Sequence, residues 1–374
     1  LPGEHALVGA EIARKVAPRL GLEAGECETV VWLVENHLLM SDVAQKRDLS
    51  DPRSAQDFAR QVQSVARLNL LTVLTVCDIR GVGPTTWNNW KAMLLRDLHA
   101  QALECLGDGA HSASRNEREA EAKAALRAAL PDWDAAALDA ECNRHYAHYW
   151  LGFDTDTHVT FAKLGREMAE DAVSSLTPDE DRDATRACFM MSDHPGIFAR
   201  LAGALALVGA NVVDARTYTS SDGVATAAFW VQDSDGHPFE ASRLGRLRKM
   251  IDKTLAGKVI ARDELKSRGK LKKREQDFRV PTNISFDNEG SEIYTIIEVD
   301  TRDRLGLLHD LARTLTACNV SISSAIIATY GEQAVDSFYV KDLFGHKLHS
   351  ESRRRQVENR LREVIEAGYA GVAP

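Results

Sequence analysis

One short β/α pattern stands twice in the second half of this chain, and a tandem duplication of that kind leaves few folds open. The first copy runs Asp193-His-Pro-Gly196-Ile-Phe, then an apolar helix, then Asn211-Val-Val, and closes in Phe229-Trp-Val-Gln-Asp233 with Gly236-His237 behind it. The second runs Asp303-Arg-Leu-Gly306-Leu-Leu, an apolar helix, Ser321-Ile, and closes in Phe338-Tyr-Val-Lys-Asp342 with Gly345-His346 behind it. The spacing from Gly196 to Asn211 equals that from Gly306 to Ser321, and the later anchors shift by a single residue. Each copy reads as strand, Asp-x-x-Gly turn, helix, strand, strand, helix. A further strand fits between the copies and completes βαββαβ, the ferredoxin-like arrangement. The expected fold class is therefore α+β, an all-helical part followed by two ferredoxin-like βαββαβ modules.

The turn has a mechanical logic. Gly196 and Gly306 lack a Cβ, so the chain bends sharply there and another backbone or a ligand can come close. The helix that follows offers free N–H groups suited to a carboxylate. Asp193 and Asp303 can cap that helix or meet a ligand ammonium, and the pattern leaves both readings open.

The first half is of another kind. Val8–Leu20, Cys27–Met40, Ala55–Val65 and Leu68–Ile79 carry apolar residues at three- and four-residue spacing and predict helices. Residues 101–183 also predict helices but are more charged, with an Ala/Glu/Arg-rich stretch from Arg115 to Leu130 that reads as a solvated connector. Beyond Gly257 a basic stretch, Arg262, Lys266, Arg268, Lys270, Lys272, Lys273 and Arg274, reads as a solvated linker or an electrostatic docking site. Strand-like sequence resumes at Phe278 and again at Ile293–Val299.

Composition narrows the function classes. The 374 residues are 44% apolar, enough for two to four cores, and the formal net charge of −9 speaks against a nucleic-acid partner. Six cysteines lie far apart without a CxxC, which fits a reducing, cytoplasmic setting. The longest apolar run, Leu201 to Ala210, is about half of what spans a bilayer, so no membrane is expected. The chain opens Leu1-Pro-Gly rather than with Met, as a piece of a longer protein would.

Chemistry is expected in the helical front end. His5, His37 in Trp32-Leu-Val-Glu-Asn-His37 and Asp78 in Leu74-Thr-Val-Cys-Asp78 are imidazoles and a carboxylate on different helices. Converging, they would hold a divalent metal that polarises a phosphate and activates a water. A packed or surface histidine is the competing reading, and for Asp78, which stands in an apolar run, an ion pair to Arg80. Lys46 and Arg47 could meet phosphate or a protein partner, or end a solvated helix, and Trp87, Asn88 and Trp90 read as packing residues rather than as a base-binding set.

Asp-x-x-Gly entering a helix, with a closing strand of aromatic-Val-x-Asp, resembles the ACT domain, a family that commonly binds amino acids at interfaces between modules. Ala204-Leu-Ala-Leu-Val-Gly-Ala-Asn211, Phe229-Trp-Val-Gln-Asp233, Ala328-Thr-Tyr-Gly-Glu332 and Phe338-Tyr-Val-Lys-Asp342 are similar to the ACT pair of the bifunctional PII uridylyltransferase/uridylyl-removing family. Glu35-Asn-His37-Leu-Leu-Met-Ser, Ala44-Gln-Lys46, Asp48, Asp51-Pro52, Asp78-Ile and Trp87-Asn-x-Trp90-Lys91 look like the HD-type phosphohydrolase domain of that family. The resemblance implies a division into part of an HD domain (1–100), a helical connector (101–183), a first ACT domain (184–258), a basic linker with an extended segment (259–292) and a second ACT domain (293–370). It implies a Mg²⁺ or Mn²⁺ site with His5, His37 and Asp78 as metal ligands, His37 and Asp78 also catalytic, and the PII protein as partner. It implies glutamine as effector, bound by Asp193, Gly196, Ile197 and Asn211 in the first copy and by Asp303, Gly306, Leu307 and Ser321 in the second. The family's His-Asp pair would stand ahead of Gly3, where this chain has not begun, and the family's nucleotidyltransferase domain is absent from the sequence. Leu305 stands where the family has Pro, and Ser321 stands opposite Asn211, which favours the first copy as the tighter binder. The alternatives are a non-catalytic amino-acid-binding regulatory fragment and another HD hydrolase with ACT tails.

Overall fold

A computed structural model describes residues 4–83, 86–107, 115–168, 172–256, 265, 281–330 and 333–370. The chain divides into two compact units, 1–112 and 113–374. The basic stretch expected between Arg262 and Arg274, and Phe278, lie outside the described residues.

The first unit is helical: α1 (Glu4–Val16), α2 (Ala24–Glu35), α3 (Leu39–Lys46), α4 (Pro52–Val62), α5 (Val65–Val82) and α6 (Asn89–Leu106). The helix starts are written into the sequence. Asp51 accepts from Arg53 N at the head of α4, with Pro52 at the first helical position. Ser64 caps α5 through Arg67 N, and Asn88 caps α6 through Lys91 N. Met40, Phe58, Leu68, Leu71 and Leu98 fill the core between these helices. Among the described residues, no single helix is long and apolar enough to cross a membrane.

The second unit opens with α7 (Arg115–Ala129), α8 (Ala135–Arg144), α9 (Ala147–Gly152) and α10 (Thr155–Glu167). Two modules follow. The first comprises β1 (Val173–Asp179), β2 (Ala184–Ser192), α11 (Ile197–Leu207), β3 (Asn211–Thr219), β4 (Val224–Gln232) and α12 (Ala241–Leu255). The second comprises β5 (Asn283–Asp287), β6 (Thr295–Arg302), α13 (Leu307–Ala317), β7 (Val320–Tyr330), β8 (Gln333–Asp342) and α14 (Glu351–Ala370). The expected helical part and ferredoxin-like modules are both present. Within each module the edge strand enters ahead of the first central strand rather than behind the second helix. β1 pairs with β2, and β5 with β6, all antiparallel.

The eight strands form one sheet in the order β1-β2-β4-β3-β7-β8-β6-β5. The modules join where β3 meets β7 antiparallel, with Asp214 opposite Ile326, Ala215 opposite Ala325 and Arg216 opposite Ser324. Ala215 and Ala325 are equivalent positions in the repeat, so a pseudo-two-fold axis passes between them. Both seam strands carry a register shift at equivalent points, Val212/Asp214 and Ile322/Ser324, which confirms the duplication at the level of the backbone.

One face of the sheet carries the module helices. Ala187, Phe189, Phe229, Leu201, Leu205, Leu311, Leu315, Phe338, Val340 and Leu361 meet there in one continuous core. The other face of the first module is covered by α9 and α10. Arg186 on β2 donates to Thr157 Oγ1 at 3.0 Å, Arg216 on β3 to the Gly152 carbonyl, and Trp230 Nε1 to Asp179 Oδ2 at 2.9 Å. β4 is consequently buried along its whole length. The region expected as a helical connector, 101–183, is thus partly a layer of the second unit. Leu126, Leu130, Leu138, Tyr149, Trp150 and Phe161 are buried within it, and its last residues form β1.

Candidate functional site

The pseudo-two-fold sets the geometry of the expected ligand residues. Gly196 and Gly306 both adopt left-handed backbone, φ 89° and 79°, and each stands at the N-terminal cap of the helix it precedes. Neither helix has a side-chain cap. Asp193 and Asp303 therefore do not cap the helices. Asp193 Oδ2 instead accepts from Thr219 Oγ1 at 2.8 Å.

Two cavities lie along the seam, and each is built from both modules. One, about 520 Å³, is lined by Asp193, Gly196 and Ile197 of the first module, by Ser321 and Thr316 of the second, and by Tyr146, His148 and Tyr149 from the helices that cover the sheet. The other, about 360 Å³, is lined by Asp303, Gly306 and Leu307 of the second module and by Asn211 and Asp233 of the first. Both volumes suit a small metabolite. The expected eight residues are all at cavities, but Asn211 and Ser321 have changed places. Each faces the turn of the other module, because β3 and β7 run side by side. No local pattern carries that exchange, since it depends on how the two copies meet.

The two cavities bring together groups of opposite electrostatic sign. Each places a carboxylate beside an uncapped helix N-terminus, one for an ammonium and the other for a carboxylate. Asp303 is reached by solvent yet crowded by protein atoms, and this desolvation raises its carboxyl above the ordinary carboxylate value, against the hydrogen bond and charge of Arg304. One further acid lines the smaller cavity and was not singled out in the sequence, Asp336 on β8. It was detectable as a carboxylate in the apolar row of an alternating strand.

In the helical unit, His5 and His37 come together, Nε2 to Nε2 at 3.3 Å. His37 Nδ1 lies 2.8 Å from the Val34 carbonyl, so it can donate there and leave Nε2 free as an acceptor. Two nitrogens bound to one cation at about 2.0–2.2 Å stand roughly 3 Å apart, and the pair fits such a shared ion. Asp78 is exposed on α5, so the argument from burial does not hold for it. Among the described residues, no group of three or more His, Cys, Asp or Glu side chains is placed to hold a metal. Lys46 pairs with Asp42 at 3.0 Å and Trp90 is buried, as a helix end and a packing residue would be.

A helical part is followed by two ferredoxin-like modules that share one sheet, with cavities at their seam. Residues 283–368 match a family model described as the ACR9-like, ACT-like domain. Over nearly its whole length the chain is similar to the C-terminal part of proteins named bifunctional uridylyltransferase/uridylyl-removing enzyme. The relative from Ruegeria pomeroyi is 64% identical, with 98% of this chain and 41% of that protein covered. That from Cereibacter sphaeroides is 63% identical, covering 98% and 40%, and that from Azospirillum brasilense 46%, covering 97% and 40%. The chain spans about two-fifths of the length of these relatives.

Proposed function

We propose that this chain is the glutamine-sensing part of a cytoplasmic enzyme that uridylylates and deuridylylates the PII protein, and that it also carries part of the UMP-removing hydrolase. The observation that supports the sensing role is the pair of seam cavities, each combining a carboxylate with an uncapped helix N-terminus. Glutamine would place its ammonium at Asp193 or Asp303 and its carboxylate at the N–H groups behind Gly196 or Gly306. Its side-chain amide would reach Ser321 or Asn211 from the opposite module. Because each site is shared, occupancy changes how firmly the modules are held together. Binding of this kind shifts activity only in so far as glutamine prefers one arrangement of the enzyme over the other.

For the hydrolase, His5 and His37 would hold Mg²⁺ or Mn²⁺, and a bound cation of this kind polarises a phosphate and supplies an activated water. Asp78 joins this proposal through the family resemblance alone. The alternative, for this chain by itself, is an amino-acid-binding regulatory fragment without turnover. The test is UMP release from uridylylated PII by a longer protein that contains this chain. Glutamine should raise the rate, and His37→Ala should abolish it while leaving glutamine binding intact. A rate unaffected by His37→Ala would remove His37 from the site, and a rate indifferent to glutamine would remove the sensing role.

A further inference from the structure

The core-facing rows of the two equivalent strands differ at one place. On β4 the row is Ala225, Ala227, Phe229, Val231, and on β8 it is Ala334, Asp336, Phe338, Val340. Asp336 thus stands where the first module has an alanine. It is 2% exposed, its strand neighbours are Val299 on β6 and Ile327 on β7, and its Oδ1 has no hydrogen-bond partner among the described residues. An unpartnered buried carboxyl is costly to hold, so its position calls for a group that meets it. Asp336 lines the smaller seam cavity, and so does His309, whose Nε2 is likewise buried without a partner while Nδ1 engages the Ala199 carbonyl at 2.8 Å. The titratable or charged side chains lining this cavity with Asp336 are Asp233, Asp303, Arg304 and His309. The one fixed cation in that set, Arg304, is engaged by Asp310 at 2.7 Å.

We propose that the smaller cavity receives the ammonium of an amino-acid ligand between two carboxyl groups, Asp303 from the turn and Asp336 from β8, whereas the larger cavity, lined by Asp193 and Asp342, has no counterpart of Asp336, the equivalent residue of the first module being Ala227. This inference rests on the reading that the seam cavities hold amino acids. It makes the two sites of the tandem chemically unequal. The smaller one rejects a ligand that has the same carboxylate and amide but no amine. It also couples binding to a proton. Burial first, and then the neighbouring Asp303 charge, push the Asp336 carboxyl well above its ordinary value, which favours the protonated form in the free cavity. An arriving ammonium favours the carboxylate, and the proton passes to solvent: the carboxylic acid and R–NH₃⁺ give a carboxylate–ammonium pair and one H⁺.

The test is calorimetric titration of the whole chain carrying Asp193→Ala, so that the smaller cavity is read by itself, with L-glutamine and with glutaramic acid, which lacks the amine. Two buffers of different ionisation enthalpy report the protons released. Glutamine should bind with proton release, and glutaramic acid roughly tenfold or more weakly. Asp336→Asn, and Asp336→Ala, which installs the residue found in the first module, should each weaken glutamine about tenfold or more, remove the proton release and spare glutaramic acid. The inference is overturned if both substitutions leave glutamine affinity and proton count unchanged, or if glutaramic acid binds as tightly as glutamine. It is also overturned if the unsubstituted chain binds glutamine and the Asp193→Ala chain does not, a result that leaves the larger cavity as a glutamine site. If the unsubstituted chain binds no glutamine at all, the sensing role itself falls, and the inference with it.

Discussion

Asn211, the first residue of β3, lines the same cavity as Asp303, which stands in the turn of the other module. In sequence Asn211 follows Asp193 and would be assigned to that turn. The antiparallel seam, with Ala215 opposite Ala325, carries it across instead. Each candidate site is therefore a property of the pair of modules. A single module separated from its partner would retain half of each.

The left-handed turns are sensitive to a side chain. At Gly306, φ is 79°, and an added Cβ would stand 3.1 Å from Leu265 Cδ1. Gly306→Ala should cost about 1–2 kcal/mol from backbone strain, read as a lowered denaturant midpoint at unchanged slope. It should also weaken ligand binding in the smaller cavity. An unchanged midpoint would show that the turn tolerates a side chain.

The contact between α9 and the sheet ties a helix to the larger cavity. A Cβ on Gly152 would overlap Tyr218 Oη, and Tyr218 lines that cavity beside Tyr146 and His148. Gly152→Ala should destabilise the second unit by about 1–3 kcal/mol. It should weaken binding in the larger cavity more than in the smaller one. Equal losses in both would argue that the helix has no specific hold on the site.

His158 gives the second unit a defined acid response. It is 1% exposed on α10, with Nε2 3.2 Å from the Tyr149 carbonyl, and burial lowers its pKa from 6.5 to about 4. The unfolded chain takes up this proton first, so stability falls as pH drops from about 6.5 towards 4 and is flat on this account above 6.5. The loss across that window is roughly 3 kcal/mol. Chemical denaturation from pH 7 to 4 should show it, and His158→Gln should flatten the profile in that range. An unchanged profile would mean that His158 is not the group responsible.

How much of this was legible in the sequence depends on the range of the interactions concerned. The turns at Gly196 and Gly306, the closing strands and helices α11 and α12 follow local rules, and they lie where the pattern places them. A strand between the copies was expected, but the place of the edge strands was not readable, because β5 is only Asn283–Asp287 and acquires its role by pairing with β6. The charged stretch from Arg115 shows its solvated residues in composition. Its few buried ones, such as Leu126, are revealed only by packing. His5 and His37 were named from type and context, and they meet at 3.3 Å because α1 and α2 pack together. Asp78 failed the burial argument because α5, apolar almost throughout, packs on one side only and exposes Leu70, Val73 and Asp78 on the other.

The most direct measurement of the shared-site account is a double-mutant cycle on glutamine binding, read by calorimetry. The account predicts that Asn211→Ala and Asp303→Ala weaken the same binding event and are coupled, while Asn211→Ala and Asp193→Ala act on separate events and add. Coupling of Asn211 with Asp193, and independence from Asp303, would contradict it.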